Sequence, residues 1–443
     1  MSDLNTIIYL LVDTFHQAST DFLVAFGLIP ILILYETPLI ALILTGILKY
    51  HYRQMSLRDA ASFYQPKVSC IVTCYSEGED IALTAKSLLE QTYPGCIEII
   101  LVVDGAVQNK ETYETALRLS KEKRSDNRNI IVLPKWQRGG RVSSCNAGLD
   151  LSSGEIVLAL DGDTSFDNDM VARIAPHFED PRVPATSGAI RVRNAGASIF
   201  AKFQSIEYLM SMQGSKTGLA EWNLQTNISG AFGAFRRSVL VKIGGWTTHS
   251  AEDLDLTIRL KQYQKRHPSW YIPYEPLAIA LTDVPVKLGD LIKQRLRWDG
   301  DLFFIFFRKH WQSFTPKLVG FKHYIFTLLY GWIQNIVLPF IVIGYIAYLL
   351  ISIPINVALS LFIGVYFVYM AVLIFFFLFI MIAMSERIKE DLLLLPLLLV
   401  FPLYSIFMRL VAVFALINEM VRQSHEESSM APWWVLKRGG KFK

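Results

Sequence analysis

The sequence has little cysteine and little net charge, and it lacks motifs that define several common classes of protein. Four of the 443 residues are cysteine, without zinc-type spacing to histidine, so we expect buried thiols in a reducing compartment and no zinc site. The formal net charge of +4 argues against a nucleic-acid partner. No Gly-x-x-x-x-Gly-Lys-Ser/Thr loop is present, and the N-terminus lacks the basic region and cleavage site of a signal peptide.

Apolar residues are in excess, and they are distributed unevenly. They make up 52% of the chain, and the mean hydropathy is +0.34. Only the middle of the chain has the composition of an ordinary globular domain. The sequence therefore predicts five parts: N-terminal membrane segments (1–53), a globular domain (54–286), interfacial amphipathic helices (287–320), transmembrane helices (321–420) and a basic tail (421–443).

Three apolar stretches are long enough to cross a bilayer: Phe22–Leu48, Tyr324–Leu350 and Val357–Met384. The first carries Glu36, which marks either a loop between two shorter apolar pieces or a polar group that faces other helices. The loop between the second and third stretches is uncharged, whereas the loop at 385–391 carries two basic residues. The positive-inside rule places the former outside and the latter in the cytoplasm.

A fourth apolar run, Leu392–Ile417, contains two prolines and Arg409. A single crossing by this run would place the basic tail outside, which conflicts with the positive-inside rule. Either the run is re-entrant or split, or the rule fails here.

Strand-like and helical patterns alternate through the globular part. This alternation predicts a parallel sheet that is covered by helices on both faces. Asp104 and Asp161 directly follow two of the predicted strands, and ligands of such sheets bind at the carboxyl ends of the strands. The predicted strands are Val68–Cys74, Ile97–Val103, Asn129–Leu133 and Ile156–Leu160, and the predicted helices are Ile81–Gln91, Lys110–Lys123 and Ser143–Leu151.

Two acidic motifs are candidates for chemistry. Asp161 and Asp163 flank a glycine, and this spacing suits a divalent cation that bridges a diphosphate, although a simple Asp-Gly turn is the alternative. Glu252 and Asp253 precede a predicted helix, Leu254–Gln262. Asp253 is a candidate general base that Glu252 would position, and helix capping is the alternative.

Two basic motifs accompany them. Gln294, Arg295, Arg297 and Trp298 lie on Leu288–Phe307, a segment typical of a helix at the membrane interface. The two arginines suit a pyrophosphate and the tryptophan suits a sugar ring, unless the helix is only an anchor. Arg138-Gly139-Gly140-Arg141 is either a phosphate-binding turn or a basic surface loop.

This ordered set of motifs, followed by apolar spans, resembles the processive, membrane-embedded family 2 glycosyltransferases, which include cellulose, chitin, hyaluronan and poly-N-acetylglucosamine synthases. The resemblance implies an α/β GT-A (Rossmann-like) cytosolic domain plus an α-helical transmembrane region that forms a polymer channel. It also implies a bacterial inner-membrane location, Mg²⁺ or Mn²⁺ as cofactor, the lipid bilayer as surroundings and a small membrane partner subunit.

The resemblance also implies roles for individual residues. In this family's pattern the nucleotide would be bound by Glu77, Asp104 and Asp161, the metal by Asp163 with Asp161, and the diphosphate and acceptor by Gln294, Arg297 and Trp298, with Asp253 as the base. The stretch Gly230–Arg237 resembles the acceptor side of the poly-N-acetylglucosamine synthases.

Two features depart from the family pattern. Arg138 and Arg141 stand around the glycine turn, where lysine is usual, and an arginine binds phosphate with a planar fork rather than as a point charge. Asp299 and Asp301 follow the Gln-x-x-Arg-Trp motif, where less acidic residues are usual, so they add negative charge near the acceptor.

The sequence thus predicts an inverting, processive transferase that polymerises a UDP-sugar, with UDP-N-acetylglucosamine favoured, and secretes the product. The nearest alternative is a non-processive enzyme that adds one sugar to a lipid carrier. A transporter or channel with a regulatory nucleotide-binding domain is a more distant alternative. A membrane scaffold with an inactive domain is disfavoured because all the expected acids are present.

Overall fold

The computed structural model describes Tyr9, Asp13 and residues 35–57, 63–122, 126–248 and 250–422. The first half of the predicted span Phe22–Leu48 and nearly all of the predicted basic tail lie outside the described residues. The described end of that span belongs to a helix, Thr37–Leu57.

A mixed eight-stranded sheet forms the centre of the globular part, in the order β3-β2-β1-β4-β7-β6-β8-β5. The strands are β1 Val68–Cys74, β2 Ile97–Asp104, β3 Arg128–Lys135, β4 Ile156–Asp161, β5 Ser165–Phe166, β6 Ala185–Val192, β7 Phe232–Arg236 and β8 Tyr274–Thr282. Strands β1 to β4 are parallel, as predicted. The other half of the sheet was not predicted, and it begins where β7 pairs antiparallel to β4.

The described chain also contains α-helices. They are α1 Thr37–Leu57, α2 Ile81–Leu89, α3 Lys110–Lys121, α4 Gly140–Leu151, α5 Met170–Ile174, α6 Ile199–Tyr208, α7 Lys216–Glu221, α8 Arg237–Lys242, α9 Glu252–Arg266, α10 Leu288–Phe303, α11 Pro316–Val319, α12 Phe321–Thr327, α13 Leu338–Ser352, α14 Ile355–Met384, α15 Ile388–Leu392 and α16 Phe401–Arg422. Several of them are connected by π-helical segments, which are Leu209–Ser215, Phe304–Lys309 and Leu328–Val337.

Two apolar cores cover the two faces of the sheet. Successive residues of β1 point to opposite faces, so Val72 packs with residues of α2 and α3, whereas Ile71 packs with residues of α4 and α9. The strands β1, β2 and β4 are almost wholly buried for this reason. Coverage of both faces confirms the predicted layer arrangement.

Three helices of the described part are long and apolar enough to cross a membrane: Phe321–Ser352, Ile355–Met384 and Phe401–Arg422. The first two correspond to the predicted hairpin. The predicted fourth run is divided, because the short helix α15 and a 3₁₀ turn, Leu395–Leu399, precede α16. Each of its two prolines lies at the beginning of a helical element, where a missing N–H is tolerated.

Helix α16 contacts the rest of the protein at both of its ends: its start contacts α6 of the globular part, and its end contacts the segment Phe304–Lys309. Near its start, Tyr404 donates a hydrogen bond of 3.3 Å to Glu207 of α6. Near its end, the Glu419 carbonyl accepts a hydrogen bond of 3.1 Å from Arg308. This placement favours a split or re-entrant run over failure of the charge rule.

Buried ion pairs join the membrane helices to the sheet. Arg191 of β6 donates to Asp391 of α15 at 2.7 Å, so the loop between α14 and α16 lies on the same side as the globular part. Glu36 accepts a hydrogen bond of 3.4 Å from Arg409 of α16. Of the two interpretations of Glu36, the structure therefore has the polar group that contacts another helix.

Candidate active site

A cleft of about 580 Å³ lies between the carboxyl end of β4, the beginning of α9 and one side of α10. Nine of the residues for which the sequence predicts a catalytic, metal-binding or substrate-binding role line this cleft: Arg141, Asp161, Asp163, Gly230, Glu252, Asp253, Gln294, Arg297 and Trp298. Glu77, Asp104, Arg138 and Arg295 lie outside this lining. The fold thus brings together residues that are up to 157 positions apart in the sequence.

Asp161 and Asp163 face the cleft from the turn after β4. Asp161 is the last residue of the strand, and the hydroxyl of Thr164 donates to Asp163 Oδ1 at 3.1 Å. Gly162 between them is closely packed, because a Cβ there would lie 3.0 Å from the carboxylate of Glu77 and from the Thr73 carbonyl. Glu77 therefore lies directly against the Asp161–Asp163 turn.

The carboxylate of Glu77 is poorly compensated. Its Oε2 atom is buried and has no hydrogen-bond partner among the described residues. Burial raises the pKa of Glu77 to about 7, with a smaller contribution from the negative charges of Asp163 and Asp80, while hydrogen bonds from the backbone at Tyr75 and Glu77 oppose the shift. A buried carboxylate oxygen without a partner beside other acids is a position that a cation stabilises.

Asp104 is held by the glycine turn. Its Oδ1 atom accepts hydrogen bonds from Lys135 Nζ at 2.6 Å and from the Gly139 N–H at 2.8 Å, and its Oδ2 atom accepts from the Gly140 N–H at 2.9 Å. Lys135 was not predicted from the sequence, and it supplies a lysine at this turn. Strand β3 extends two residues further than predicted, and its end brings Lys135 to Asp104.

Arg138 and Arg141 have different environments. The guanidinium of Arg138 lies 4.1 Å from the ring centre of Tyr75 and is only half-buried, which is a cation–π arrangement. Arg141 is buried and contacts the carboxylates of Asp161 and Glu252, the latter at 2.7 Å. Arg141 therefore joins the end of β4 to the beginning of α9, while Arg138 remains accessible.

Asp253 is positioned at the beginning of α9. Its Oδ2 atom accepts hydrogen bonds of 3.2 Å from Asn227 Nδ2 and from the Gly230 N–H. The preceding Ala251 has a φ of 49°, a strained conformation for a residue with a side chain. Such strain is concentrated at functional sites. Here it lies directly before Glu252 and Asp253, the two acids at the beginning of α9 that line the cleft.

Glu252 differs from its neighbour in burial. It is only 9% exposed, and burial raises the pKa of its carboxyl while the adjacent Arg141 opposes the shift. Gly230 lies against both acids, since a Cβ there would be 3.3 Å from Glu252 Oε1. Glu252 is thus fixed by Arg141, and Asp253 is the more accessible of the two acids.

Helix α10 presents its motif residues in two directions. Gln294, with an unpartnered Oε1 atom in the described structure, and the exposed Arg297 line the cleft. Arg295 instead forms an ion pair with Glu207, and its guanidinium lies 5.2 Å from the ring centre of Trp298. The structure therefore places Arg295 where it fastens α10 to α6.

Asp299 and Asp301 also line the cleft. Burial raises the pKa of Asp299 to about 6 and that of Asp301 to about 7. Asp301 accepts a hydrogen bond from the Ser250 hydroxyl, which precedes the two acids of α9. The acidic pair noted in the sequence thus lies at the cleft and adds charge near Asp253.

The lining of the cleft continues into the first apolar helix. Phe326 and Thr327 of α12 contribute to it, and so do Tyr330, Gly331 and Asn335 of the wide turns that follow. The globular site and the membrane helices therefore share one continuous surface.

The chain is similar in sequence to known glycosyltransferases. Residues 69–244 match the family described as Glycosyl transferase family 2. The chain is 30% identical over 287 residues to a poly-beta-1,6-N-acetyl-D-glucosamine synthase of Staphylococcus epidermidis, covering 64% of this chain and 65% of that protein. It is 31% identical over 280 residues to the synthase of the same name from Staphylococcus aureus strain COL, covering 63% and 64%. The chain thus spans just under two thirds of the length of these relatives.

A solved structure supports the fold. A mannosyltransferase from Pyrobaculum calidifontis, in complex with GDP-Man and Mn²⁺, superposes with a TM-score of 0.54 at 18% identity. The similarity covers 87% of this chain and 99% of the mannosyltransferase. The fold is therefore GT-A-like with apolar helices in the C-terminal part, and residues 69–244 match the family 2 glycosyltransferases.

Proposed function

We propose that the protein is an inverting, processive glycosyltransferase that extends a polysaccharide from a UDP-sugar, with UDP-N-acetylglucosamine as donor. The observation that carries the proposal is the single cleft in which Asp161, Asp163, Asp253, Arg297 and Trp298 meet. Acids at a strand end, an acid at a helix beginning and a cation with an aromatic ring are the groups that such a transfer needs.

The reaction assigned to this cleft transfers one sugar at a time. Asp253 accepts the proton of the acceptor hydroxyl as its oxygen forms a bond to C1 of the donor sugar. The bond between C1 and the diphosphate oxygen breaks, and UDP departs with the electron pair. A single displacement of this kind inverts the configuration at C1, and it requires one base, which Asp253 supplies.

The described residues fit a divalent cation such as Mg²⁺ or Mn²⁺. Asp163 with Asp161 would hold it, and the carboxylate of Glu77, whose Oε2 atom has no partner among the described residues, lies against the same turn. No group of three or more potential ligands is preformed among the described residues, so phosphate oxygens of the donor would complete the coordination, as is usual for Mg²⁺. The cation would neutralise charge on the departing diphosphate.

Two features support a processive enzyme over one that adds a single sugar to a lipid carrier. Trp298 supplies an aromatic platform of the kind on which sugars stack. The cleft also continues along Thr327, Tyr330 and Asn335 toward the membrane helices, which gives a growing chain a route away from Asp253. A transferase that modifies one lipid-linked acceptor has no need of such a route.

The choice of donor rests on the relatives. Poly-beta-1,6-N-acetyl-D-glucosamine is the product named for the staphylococcal proteins, whereas the archaeal mannosyltransferase carries GDP-Man. The first similarity is at the level of sequence and the second is at the level of fold alone. We therefore assign UDP-N-acetylglucosamine as the donor. As further parts of the proposal, the protein lies in the bacterial inner membrane with its catalytic domain in the cytoplasm, and a small membrane subunit is its partner.

The test is a donor panel with purified protein in detergent and Mg²⁺ or Mn²⁺. Release of nucleoside diphosphate from UDP-N-acetylglucosamine, in preference to UDP-glucose and GDP-mannose, supports the donor assignment. Preference for GDP-mannose would contradict that assignment. A product restricted to one added sugar on a lipid would favour the non-processive alternative.

A further inference from the structure

A lysine is buried beside Asp253 without a hydrogen-bond partner. Lys216, the first residue of α7, is 7% exposed, and its Nζ atom has no partner among the residues that the structure describes. An ammonium group loses its hydration in such a position, and burial lowers the pKa of Lys216 to about 8. The carboxylate of Asp253 acts in the opposite direction and favours the charged lysine.

The position of Lys216 follows from one helical face. Tyr208, Met212 and Lys216 are spaced by four residues along a continuous helical segment, and residues with this spacing share a face. Tyr208 and Met212 line the cleft. Lys216 therefore continues the face that the segment presents toward the site.

Backbone packing fixes the helix that carries Lys216. Gly218 of α7 lies against Gly46 of α1, and a Cβ at either glycine would overlap the backbone of the other helix. The lysine is therefore held by a rigid contact between α7 and the N-terminal helix. A charge held in this way needs no reorganisation when the substrate arrives.

Other charged groups near Asp253 leave its charge incompletely balanced. Arg141 is shared between Asp161 and Glu252. Glu252 and Asp301 both interact with Asp253 as like charges. Arg141 also interacts with Asp253 as a more distant charge, and Lys216 is a second cation that acts on the proposed base.

We propose that Lys216 is a positioning residue of the transfer reaction, whose buried ammonium group offsets the charge of the Asp253 carboxylate without a direct hydrogen bond to it. The inference rests on the proposed function, in which Asp253 accepts the acceptor's proton. Lys216 acts through Asp253 and touches no substrate in this assignment.

The variant Lys216→Met tests the proposal because it removes the charge and keeps the length of the side chain. We expect kcat to fall at least about tenfold with little change in KM for the donor. The acid limb of the pH profile of kcat/KM should move to higher pH by about one unit, because loss of a nearby positive charge favours protonation of the base. The Tm should not fall, since a desolvated, unpaired ammonium is removed.

Two further variants separate this role from a structural one. Lys261→Met is the matched control, because Lys261 is 5% exposed on α9 and burial likewise lowers its pKa to about 8, with no carboxylate opposing the shift. It should leave the pH profile unchanged. Lys216→Arg keeps the charge and should restore the wild-type profile at least in part.

The outcomes are distinct. A shifted acid limb in Lys216→Met, with rescue by Lys216→Arg and no shift in Lys261→Met, supports the proposal. An unshifted profile in an active Lys216→Met variant overturns it while leaving the proposed function intact. Loss of Tm and activity together in Lys216→Met overturns it in favour of a structural role. Absence of UDP release by the wild-type protein would count against both.

Discussion

Arg141 donates from Nε to Glu252 Oε1 over 2.7 Å, and its other nitrogens contact Asp161 and the Gly230 carbonyl. Strand β4 and helix α9 are therefore joined by one buried guanidinium. Burial alone would favour the neutral forms of these acids, and Arg141 stabilises the ionised carboxylates of Asp161 and Glu252.

Replacement of Arg141 by methionine should unfold the site. The variant leaves Glu252 buried without its cation, and breaking a buried pair from one side costs about 3–5 kcal/mol. We expect a large drop in Tm in detergent and loss of UDP release. Arg138→Met is the control, because that side chain is half-buried and stacks on Tyr75. An unchanged Tm in Arg141→Met would contradict the bridging role.

Asp253→Asn should abolish turnover while donor binding remains. Removal of a general base lowers kcat by about 10²–10⁴-fold, and the amide can still accept the hydrogen bonds from Asn227 and Gly230. Binding of UDP, measured by calorimetry, should stay within a few-fold of the wild-type value. Full turnover by this variant would remove Asp253 from the mechanism.

Arg295 and Arg297 should behave differently, although they are two residues apart. Arg297→Ala should raise KM for the donor and leave Tm unchanged, because the side chain is exposed in the cleft. Arg295→Met should lower Tm, because it leaves Glu207 buried; burial raises the pKa of Glu207 and the arginine opposes the shift.

A double-mutant cycle separates this pair. Combining Arg295→Met with Glu207→Gln should recover part of the lost stability, with a coupling of about 0.5–3 kcal/mol. Additive losses would show that the two residues act independently. If Arg295→Met raises the KM for the donor more than Arg297→Ala does, then Arg295 binds the donor and its structural role is contradicted.

The contrast between these arginines shows what the sequence could and could not predict. The parallel strands β1 to β4 followed from apolar runs and turn residues, and their carboxyl ends gave the positions of Asp104 and Asp161. Strands β5 to β8 have weaker local patterns, because β5 has two residues, β6 and β7 contain glycine and β8 contains proline. Arg295 and Arg297 stand in one motif, and only the packing of α10 against α6 shows that they face different partners.

Two further omissions have the same cause. Lys135 lies just beyond a predicted strand and contacts Asp104 because β3 pairs with β2 through Lys135. Lys216 belongs to no motif, and its relation to Asp253 arises only from tertiary packing, in which α7 lies against α1.

Asp301→Asn should change stability in a pH-dependent way. Burial raises the pKa of Asp301 to about 7, so the folded protein holds this proton more tightly than the unfolded chain does. The stabilisation from the protonated form is fully present below about pH 4 and is lost as pH rises through about pH 7. The variant should therefore have a higher Tm than the wild type at about pH 8 and an equal Tm at about pH 4.

The exposed Asp290 on the same helix provides the control for that prediction. Asp290→Asn should leave the pH dependence of Tm as it is in the wild type, because the side chain is 54% exposed and burial costs it little. A Tm difference for Asp301→Asn that is the same at both pH values would contradict the assigned cause.

Asn335→Phe should shorten the product. Asn335 lines the cleft at its membrane end, and a larger side chain there narrows the proposed route of the polymer. We expect the initial rate of UDP release to be nearly unchanged and the mean product length to fall. Asn356→Phe is the matched control, since Asn356 is exposed at the other end of the membrane helices. Equal product lengths in both variants would contradict the route.

The most direct test of the account is the size of the product made from labelled UDP-N-acetylglucosamine at low conversion, with Mg²⁺ or Mn²⁺ and Asp253→Asn in parallel. We expect the wild-type protein to release UDP and to form high-mass polymer while most of the acceptor is still unextended, and we expect the variant to form none. Short products that lengthen together would contradict processive synthesis, and absence of UDP release would contradict the proposed activity itself.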